Sequence, residues 1–485
     1  MKKIFLQMIA ILLLMGMCLC MFACDGDSET PVDDNDVTVD DTNEAGLKLP
    51  FDKADYNKEV TILYTTGTMQ SNFFFDDVTE AGDIIKAALM DRRMLVEDYL
   101  GVQVVGKAES TDYEGIVNAI RRDAMAGVDQ YQIALTHNYI GVGTLVSSGY
   151  IKDLYEMEDY LSFDEEYWHL SAMEELEVGG KAYYGNSDFM ISDVCAILYN
   201  KDMYEQYQIK DNPYELVKSG KWTLEKFMEL CSNVAVNDGD PAWTKEDTYG
   251  LGVRADWEFL PLVDSCDVKW LVGNTNKTLN MGPTNERYQK VYEACEKLID
   301  AEWSYLYNYG DSENKVTIAD GRFLFTMEPI KYANTHLASG VKFGVLPYPK
   351  FDEEQADYKT GDYGGLLCVP NQIRDTEMVA KTLECLSFYS AETINLAYYE
   401  RLLGTRVAEA PDDAEMLKEY IFGKITLNPA MNYSGKANQP LGILVYTIPK
   451  MLRAKLNGTT VETIATTWAA NKQAAQKVID ETLNR

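Results

Sequence analysis

The sequence predicts an α/β fold made of two lobes, and three observations lead to this prediction. Between residues 57 and 135, short β-branched strands alternate with amphipathic helices in the order β-α-β-α-β, which is typical of a parallel sheet covered by helices. The body that follows the amino-terminal segment is about 430 residues long, which is too long for a single hydrophobic core and typical of two domains. A continuous apolar run at residues 194–199 interrupts the alternation, and we interpret it as a crossover into the second lobe.

Local patterns predict the individual elements. The strands of the first lobe are predicted at residues 60–64, 102–105 and 133–135. Helices are expected to dominate from the crossover to about residue 310, and Thr223 is expected to be the N-cap of one of them. The last helix is expected over residues 459–483, where Thr459 and Glu462 have the spacing of a capping box.

The amino terminus has the pattern of a lipoprotein signal peptide covering residues 1–23. A short basic start precedes an apolar run at residues 4–17, and the small residue Ala23 directly precedes Cys24. Cleavage before Cys24 would leave this cysteine as the lipidated new amino terminus. The alternative is an uncleaved signal anchor, but the apolar run is shorter than the ~20 residues that span a bilayer. We therefore expect an exported protein, anchored to the outer face of the cell membrane by lipid on Cys24.

The segment after Cys24 is acidic and poor in apolar residues. It cannot bury enough surface to fold, so we expect residues 24–56 to comprise the lipidated cysteine and a disordered tether. The whole chain has 77 acidic and 44 basic residues, a formal net charge of −33. This balance argues against nucleic acid as a partner. It would also repel anionic lipids, so membrane association is expected through the lipid anchor only.

Six of the nine cysteines belong to the folded body. They are far apart, lie mostly among apolar residues and show no CxxC pair or metal-ligand spacing. Their positions are 195, 231, 266, 295, 368 and 385. We predict that they are buried free thiols, with one or more disulfides as the alternative.

Catalytic and cofactor signatures are missing from the sequence. It contains no GxSxG, HExxH or Walker A motif, and no GxGxxG after a strand. Its three histidines share no metal-ligand spacing. We therefore expect no enzyme activity, no cofactor and no metal site. A glycoside hydrolase stays open as an alternative, because it needs only two suitably spaced acids.

Four segments of the body carry a resemblance to a known family. They are residues 197–202 (ILYNKD), 221–227 (KWTLEKF), 321–327 (GRFLFTM) and 345–349 (VLPYP). In this order they resemble segments of the extracellular solute-binding proteins of family 1, the maltose-binding-protein-like substrate-binding lipoproteins of ABC transporters. The resemblance covers nearly the whole body.

The resemblance implies a two-lobed periplasmic-binding-protein-like fold of type II, with a ligand cleft between lobes joined by a hinge. The first lobe would comprise residues 57–193 plus 366–404, and the second residues 195–362 plus 408–485. The implied function is to bind a sugar or oligosaccharide and deliver it, as a monomer, to the permease of an ABC importer. Three alternatives remain: the same fold binding a peptide or other small solute, an exported glycoside hydrolase, and a structural surface lipoprotein.

Ligand contacts are expected beyond the carboxyl ends of the first-lobe strands, where open parallel sheets bind their ligands. Thr66 and Gln70 follow the first strand. His137, Asn138 and Tyr139 follow the third strand, at a position that resembles a polar sugar-binding pair of the family. These five residues are candidate ligand contacts.

Further candidates lie around the hinge and in the second lobe. Asp193 resembles the hinge glutamate of the family. Trp257 is a candidate stacking platform for a sugar ring, and Tyr363 lies where the chain returns through the hinge.

One family position differs in this chain. Where the family often carries Gly-Pro-Trp, the sequence reads Glu328-Pro329-Ile330. The stacking tryptophan is thus replaced by Ile330, which argues against maltodextrin as the ligand. We expect Glu328 or Tyr332 to form that wall of the site.

Overall fold

A computed structural model of the protein describes residues 47–65, 83–110, 113–255, 257–274, 276–308, 310–405 and 410–484. The predicted signal peptide, the lipidation site Cys24 and most of the predicted tether lie outside the described residues. Two candidate ligand contacts, Thr66 and Gln70, also lie outside them. Leu49, which belongs to the end of the expected tether, is buried against the core of the first sheet.

The first sheet has four strands in the order β13-β3-β1-β2. They are β1 (Lys58–Thr65), β2 (Val102–Ser110), β3 (Ile133–His137) and β13 (Gly365–Cys368). β1 is parallel to both β2 and β3, whereas β13 returns from far along the chain and is antiparallel to β3. The predicted β-α-β-α-β unit is therefore confirmed, and the antiparallel edge strand is an addition that local pattern did not indicate.

The second sheet has the order β11-β4-β10-β6-β5, with β9 also paired to β6. Its strands are β4 (Cys195–Asn200), β5 (Ala235–Val236), β6 (Thr248–Arg254), β9 (Ser304–Tyr307), β10 (Phe323–Pro329) and β11 (Phe343–Leu346). β10 is antiparallel to β4 and parallel to β6. Two small ribbons pair β7 (Leu271–Val272) with β8 (Thr278–Leu279), and β12 (Thr360–Gly361) with β14 (Ile425–Thr426).

Helices surround both sheets. The first group is α1 (Asp83–Leu100), α2 (Tyr113–Ala126), α3 (Val142–Ser147), α4 (Leu170–Glu175), α5 (Lys201–Gln206), α6 (Pro213–Lys218), α7 (Leu224–Cys231), α8 (Phe259–Ser265) and α9 (Glu286–Asp300). The second group is α10 (Ala333–His336), α11 (Thr376–Glu392), α12 (Ile394–Leu403), α13 (Pro411–Glu415), α14 (Pro429–Asn432), α15 (Pro440–Val445), α16 (Thr447–Leu456) and α17 (Ile464–Thr482). Within the described ranges, no helix is long and apolar enough to cross a membrane.

The chain passes between the two sheets at two described segments. The first crossing, residues 188–194, leads directly into β4, so the apolar run that we interpreted as a crossover is itself a strand of the second sheet. The return crossing, residues 362–364, leads into β13 of the first sheet. The amide of Tyr363 donates to the carbonyl of Asp193 at 3.0 Å, which holds the two crossings side by side.

Helices dominate from the crossover to residue 310 as predicted, but β6, an interior strand of the second sheet, was not predicted. Two glycines, Gly250 and Gly252, weaken its β-strand signal in the sequence. Gly250 is needed there because a Cβ atom would lie 1.8 Å from the carbonyl oxygen of Cys231 in α7. The close approach of this helix to the strand is a tertiary feature. The predicted N-cap Thr223 is confirmed, and its hydroxyl accepts from the amide of Lys226.

The predicted start of the last helix was wrong. α17 begins at Ile464 with Thr463 as its N-cap, and the Thr463 hydroxyl accepts from the amide of Thr466. Thr459 does not form a capping box with Glu462. Its amide and hydroxyl instead donate to the carbonyl of Ala454, which completes the end of the preceding helix α16.

The six body cysteines are buried free thiols in the structure. Burial raises the pKa of the Cys195 thiol well above its ordinary value, as it does for Cys231 and Cys295. Such thiols react slowly in the folded protein. We predict that each of the six is alkylated after denaturation without any reductant, and that each is protected before denaturation. Peptide mass spectrometry checks both statements, and a cysteine that becomes reactive only after reduction would contradict the absence of disulfides.

Candidate ligand-binding site

A cavity of about 400 Å³ opens at the edge of the second sheet, beside the two crossings. The residues that line it come from both crossings, from the start of β4, from the ends of β6 and β10, and from the segments that follow these two strands. They are Asp193, Cys195, Arg254, Trp257, Pro329, Lys331, Tyr332 and Tyr363. The structure therefore brings together Asp193, Trp257, Tyr332 and Tyr363, four residues singled out from the sequence.

Strand direction explains why residues so far apart in sequence meet here. β6 and β10 are parallel, so their last residues, Arg254 and Pro329, lie at the same edge of the sheet. β4 is antiparallel to β10, so its amino-terminal end, which begins two residues after Asp193, lies at that edge too. This is the edge at which α/β sheets bind ligands.

The charged groups of the cavity are paired. The Lys331 ammonium lies 2.6 Å from the Asp193 carboxylate, and both side chains are about one-quarter exposed (25% and 23%). Burial lowers the pKa of Lys331, but its neighbours, chiefly the Asp193 carboxylate, together raise it to above its ordinary value. Arg254 Nε lies 2.8 Å from the buried carboxylate of Glu258. Pairing holds these groups in fixed orientations, from which they can donate to and accept from ligand hydroxyls.

Aromatic rings form a second wall around Trp257. The ring of Tyr363 meets Trp257 edge-on at a centroid distance of 5.1 Å, and the ring of Tyr446 stacks against it at 6.0 Å. Burial raises the pKa of the Tyr446 hydroxyl and that of Tyr139, which follows β3 of the first sheet, and each of the two hydroxyls influences the pKa of the other. Tyr446 was not among the residues singled out from the sequence. It lies between two short helices, and only its contact with Trp257 identifies it.

His137, the last residue of β3, and Asn138 shape a turn and do not line the described cavity. His137 Nδ1 accepts from the amides of Tyr139 and Ile140 at 3.2 and 3.3 Å. Burial lowers the pKa of His137 to about 4, so the imidazole is neutral at pH 7 and can act as this acceptor. Asn138 is buried, and its carbonyl accepts from the side chain of Asn432 at 2.7 Å. Tyr139 does not line the described cavity either, and its link to the aromatic residues is its electrostatic interaction with Tyr446.

Glu328 does not line the cavity. Its carboxylate is buried and accepts from the Ile318 amide at 2.9 Å and the Thr326 hydroxyl at 2.6 Å, and it pairs with His336 Nε2 at 2.8 Å. The structure therefore places Glu328, a residue of β10, in a buried hydrogen-bonded network with Ile318, Thr326 and His336. Tyr332 lies at the mouth of the cavity, where it is 46% exposed, with the Lys331 ammonium 5.6 Å from its ring.

A second cavity of about 330 Å³ lies behind Tyr363. Its walls carry ion pairs, among them Lys359 with Asp267 at 3.0 Å and with Glu175 at 3.5 Å. The first cavity is the better candidate for ligand because it combines the crossings, stacked rings and paired charges. Of the residues that the structure describes, no three histidine, cysteine, aspartate or glutamate side chains are grouped as metal ligands.

Asp264 separates the two cavities and orients Tyr363. It is buried, and its carboxylate accepts from the Tyr363 hydroxyl at 2.6 Å, from Trp270 Nε1 at 2.7 Å and from Asn428 Nδ2 at 3.1 Å. Burial raises the pKa of Asp264 to about 6, although these three donors act in the opposite direction. The position of the Tyr363 ring in the cavity thus depends on a carboxylate that lines the second cavity.

The raised pKa of Asp264 predicts a pH dependence of stability. Because the carboxylate ionises at a higher pH in the folded than in the unfolded chain, its contribution is full below about pH 4 and is lost as the pH rises through about 6. Between pH 4.5 and 7 the loss is about 2 kcal/mol. We predict that D264N removes this part of the pH dependence, so the gap between wild type and variant should change by that amount. Urea unfolding at both pH values measures it, and a constant gap would contradict the prediction.

Comparison with known proteins identifies the fold. No family model matches the sequence, and no curated protein matches it. Among solved structures, the cyclic α-maltosyl-1,6-maltose binding protein from Arthrobacter globiformis is 15% identical, with a TM-score of 0.56 over 87% of this chain and 98% of that chain.

Two further solved structures agree with this result. The galacto-N-biose/lacto-N-biose I-binding protein of the ABC transporter from Bifidobacterium longum, in complex with lacto-N-biose, is 12% identical, with a TM-score of 0.54 over 87% of this chain and 97% of that chain. UgpB from Mycobacterium tuberculosis, in complex with glycerophosphocholine, is 15% identical, with a TM-score of 0.53 over 86% and 98%. Together with the two sheets and their crossings, these likenesses confirm the predicted fold: the chain has the two-lobed, type II fold of the ABC transporter solute-binding proteins.

Proposed function

We propose that this protein is the solute-binding component of an ABC importer. It binds a sugar or oligosaccharide in the cleft beside its crossings and delivers it to the membrane permease. The observation that carries this proposal is the cavity lined by Trp257 and Tyr363 together with the Asp193–Lys331 pair, with Tyr446 stacked on Trp257. The solved structures of the same fold include proteins with carbohydrate ligands.

The chemistry of the cavity suits a sugar. A pyranose ring exposes apolar C–H faces, which pack against aromatic rings such as that of Trp257. Its hydroxyl groups both donate and accept hydrogen bonds, so they match a carboxylate acceptor, Asp193, beside the cationic donors Lys331 and Arg254. Because each charge is already paired inside the protein, a neutral ligand leaves no buried charge uncompensated.

Closure of the cleft follows from the same architecture. We propose lobes of residues 57–193 plus 366–404 and of residues 195–362 plus 408–485, which bend about the crossings when ligand binds. Ligand would then contact Trp257 and Lys331 from one lobe and Tyr139 from the other. The protein would act as a monomer that presents its closed form to the permease.

A thermal-shift screen tests the proposed function. A ligand that binds only the folded state stabilises it by about 2.7 kcal/mol at 100 times Kd, so a matching solute should raise the Tm clearly. The panel comprises mono- and oligosaccharides, peptides, polyamines and glycerophosphodiesters. We expect an oligosaccharide or sugar to raise the Tm of wild type and to have little effect on W257A. A shift with peptides or phosphodiesters alone would replace the sugar with that class of solute.

The same screen addresses the hydrolase alternative. Among the described residues that line the cavity, Asp193 is the one carboxylate, whereas glycoside hydrolysis uses a pair of acids. We therefore expect any bound oligosaccharide to be recovered intact. Chromatography of the ligand after long incubation measures this, and the appearance of shorter products would favour the hydrolase.

We also propose that the mature protein is held at the outer face of the cell membrane by lipid on Cys24. The support is the sequence around Ala23 and Cys24. C24S is expected to abolish incorporation of labelled palmitate and to leave the Tm of the body unchanged, because the buried residues that the structure describes begin after this segment. C385S, which alters a buried body cysteine, is the control and should retain the label. Equal labelling of wild type and C24S would contradict the proposal.

A further inference from the structure

The carboxylate of Asp362 joins the two crossings. One oxygen, Oδ1, accepts from the amide of Asp193 in the first crossing at 3.0 Å and from the amide of Gly364 in the return crossing at 2.7 Å. The other oxygen, Oδ2, accepts from Asn186 Nδ2 at 3.0 Å. The side chain is buried, with 6% of the residue exposed. Asp362 therefore connects three segments of the chain beside the cavity.

The backbone of Asp362 adds a fourth connection. Its amide donates to the carbonyl of Thr426 at 3.2 Å, next to the pairing of β12 with β14. Asn186 continues the network in the opposite direction, because its side-chain oxygen is hydrogen-bonded to His169 Nδ1. Asp193 and Tyr363 belong to this network and also line the cavity, whereas Asp362 itself does not line it.

Gly364, two residues after Asp362, shows how closely the two crossings approach each other. A Cβ atom on Gly364 would lie 3.0 Å from Asp362 Oδ1 and 3.1 Å from the amide nitrogen of Asp193. Both distances are tighter than ordinary contacts, so a larger residue at this position would push the crossings apart by a few tenths of an ångström. The close approach of the two crossings thus depends on both the carboxylate of Asp362 and the absence of a side chain at Gly364.

We propose that Asp362 is a positioning residue of the ligand site. By accepting from both amides, it holds the crossings in one register, so that the Asp193 carboxylate and the Tyr363 ring face the same cavity. Ligand affinity then depends on a residue that does not touch the ligand. This inference rests on the proposed function for its effect on binding, but the contact it describes exists in the ligand-free protein.

Two variants test the proposal through binding. D362A removes the acceptor of three buried donors and is expected to weaken the affinity for the solute found in the screen by at least about tenfold. D362N keeps one acceptor oxygen for the two amides of the crossings and loses only the acceptor of Asn186, whose side-chain oxygen is held by His169. We expect D362N to bind within about threefold of wild type. Calorimetric titration provides the affinities.

A matched control separates positioning from general destabilisation. Glu384 is a buried carboxylate in α11 that accepts from the Tyr167 hydroxyl at 2.6 Å and Trp168 Nε1 at 2.8 Å, in the core of the first sheet. E384A should lower the Tm as D362A does, yet retain wild-type affinity. Equal losses of affinity in E384A and D362A would overturn the proposal, and so would wild-type affinity in a folded D362A.

A third variant covers the case in which D362A does not fold. G364A inserts one methyl group between the crossings and leaves every hydrogen-bonding group in place. We expect it to weaken affinity by about threefold to tenfold with a modest fall in Tm. Unchanged affinity in G364A would count against the proposal even if D362A cannot be purified.

Hydrogen exchange tests the contact without any ligand. The amides of Asp193 and Gly364 should exchange at least about tenfold faster in D362A than in wild type, and near the wild-type rate in D362N. Unchanged exchange at both amides in D362A would overturn the proposal. If no solute binds wild type, the proposed function is what fails, and the exchange rates of these two amides alone decide the role of Asp362.

Discussion

Replacing Trp257 with alanine is expected to weaken ligand binding by about 100-fold, or about 2.7 kcal/mol, which is typical of an aromatic anchor in a binding pocket. The variant loses the face on which a sugar ring can pack, and it leaves the rings of Tyr363 and Tyr446 without their common neighbour. Isothermal titration with the solute from the thermal-shift screen measures the affinity. Because Trp257 is partly buried against the core, the ligand-free Tm should fall modestly.

Trp243 provides the control for this substitution. Its ring also packs on a tyrosine, Tyr249, at 5.4 Å, but it is 42% exposed and does not line the cavity. W243A should keep wild-type affinity, and W257F should recover part of what W257A loses. If W257A binds as wild type does but loses about 3 to 5 kcal/mol of stability, Trp257 is a core residue and the aromatic wall is not part of the site.

Asp193→Asn is expected to reduce affinity by about 30-fold, or about 2 kcal/mol, which is the size of a lost hydrogen bond to a charged group. The substitution keeps the shape of the side chain but removes the charge that pairs with Lys331 at 2.6 Å. K331M and the double variant complete a cycle. Since the two groups act together on the ligand, the double variant should lose less affinity than the sum of the single losses.

An ion pair away from the cavity is the reference for this cycle. Asp300 and Lys455 are also 2.6 Å apart, but both are exposed on helices α9 and α16. D300N should change neither affinity nor Tm appreciably, as is usual for surface pairs. Wild-type affinity in D193N would remove Asp193 from the site. Strictly additive losses in the cycle would show that Lys331 acts on the ligand independently of Asp193.

Local pattern predicted the first sheet better than the second. The strands β1, β2 and β3 and the helices between them follow from runs of β-branched residues and from helical spacing. β6 was not predicted because Gly250 and Gly252 weaken its strand pattern. These glycines are required by the α7 backbone and the Phe323 ring that pack against them, which are tertiary contacts. The start of α17 was misplaced because the Thr459 hydroxyl, a good cap in isolation, is bonded to the previous helix.

The residues of the candidate site also differ in how far the sequence indicated them. Asp193 and Tyr363 were singled out because the family resemblance places a hinge at these positions, and Trp257 because an aromatic ring lies there among apolar residues. No sequence pattern singles out Tyr446, and it is identified by its stacking on Trp257, 189 positions away in the chain. Glu328 was expected to line the cavity, and the structure bonds its carboxylate to Ile318, Thr326 and His336 instead.

The sequence by itself determined the α/β class, the β-α-β-α-β unit and the residues at several strand ends, because these depend on the alternation of apolar residues over short stretches. Only the tertiary structure decided which strand ends share an edge, which tyrosines meet Trp257 and which carboxylate joins the crossings. The tie between Asp193 and Asp362 spans 169 positions. Such contacts are set by how the two sheets and the two crossings pack together, and a local sequence pattern carries no information about that packing.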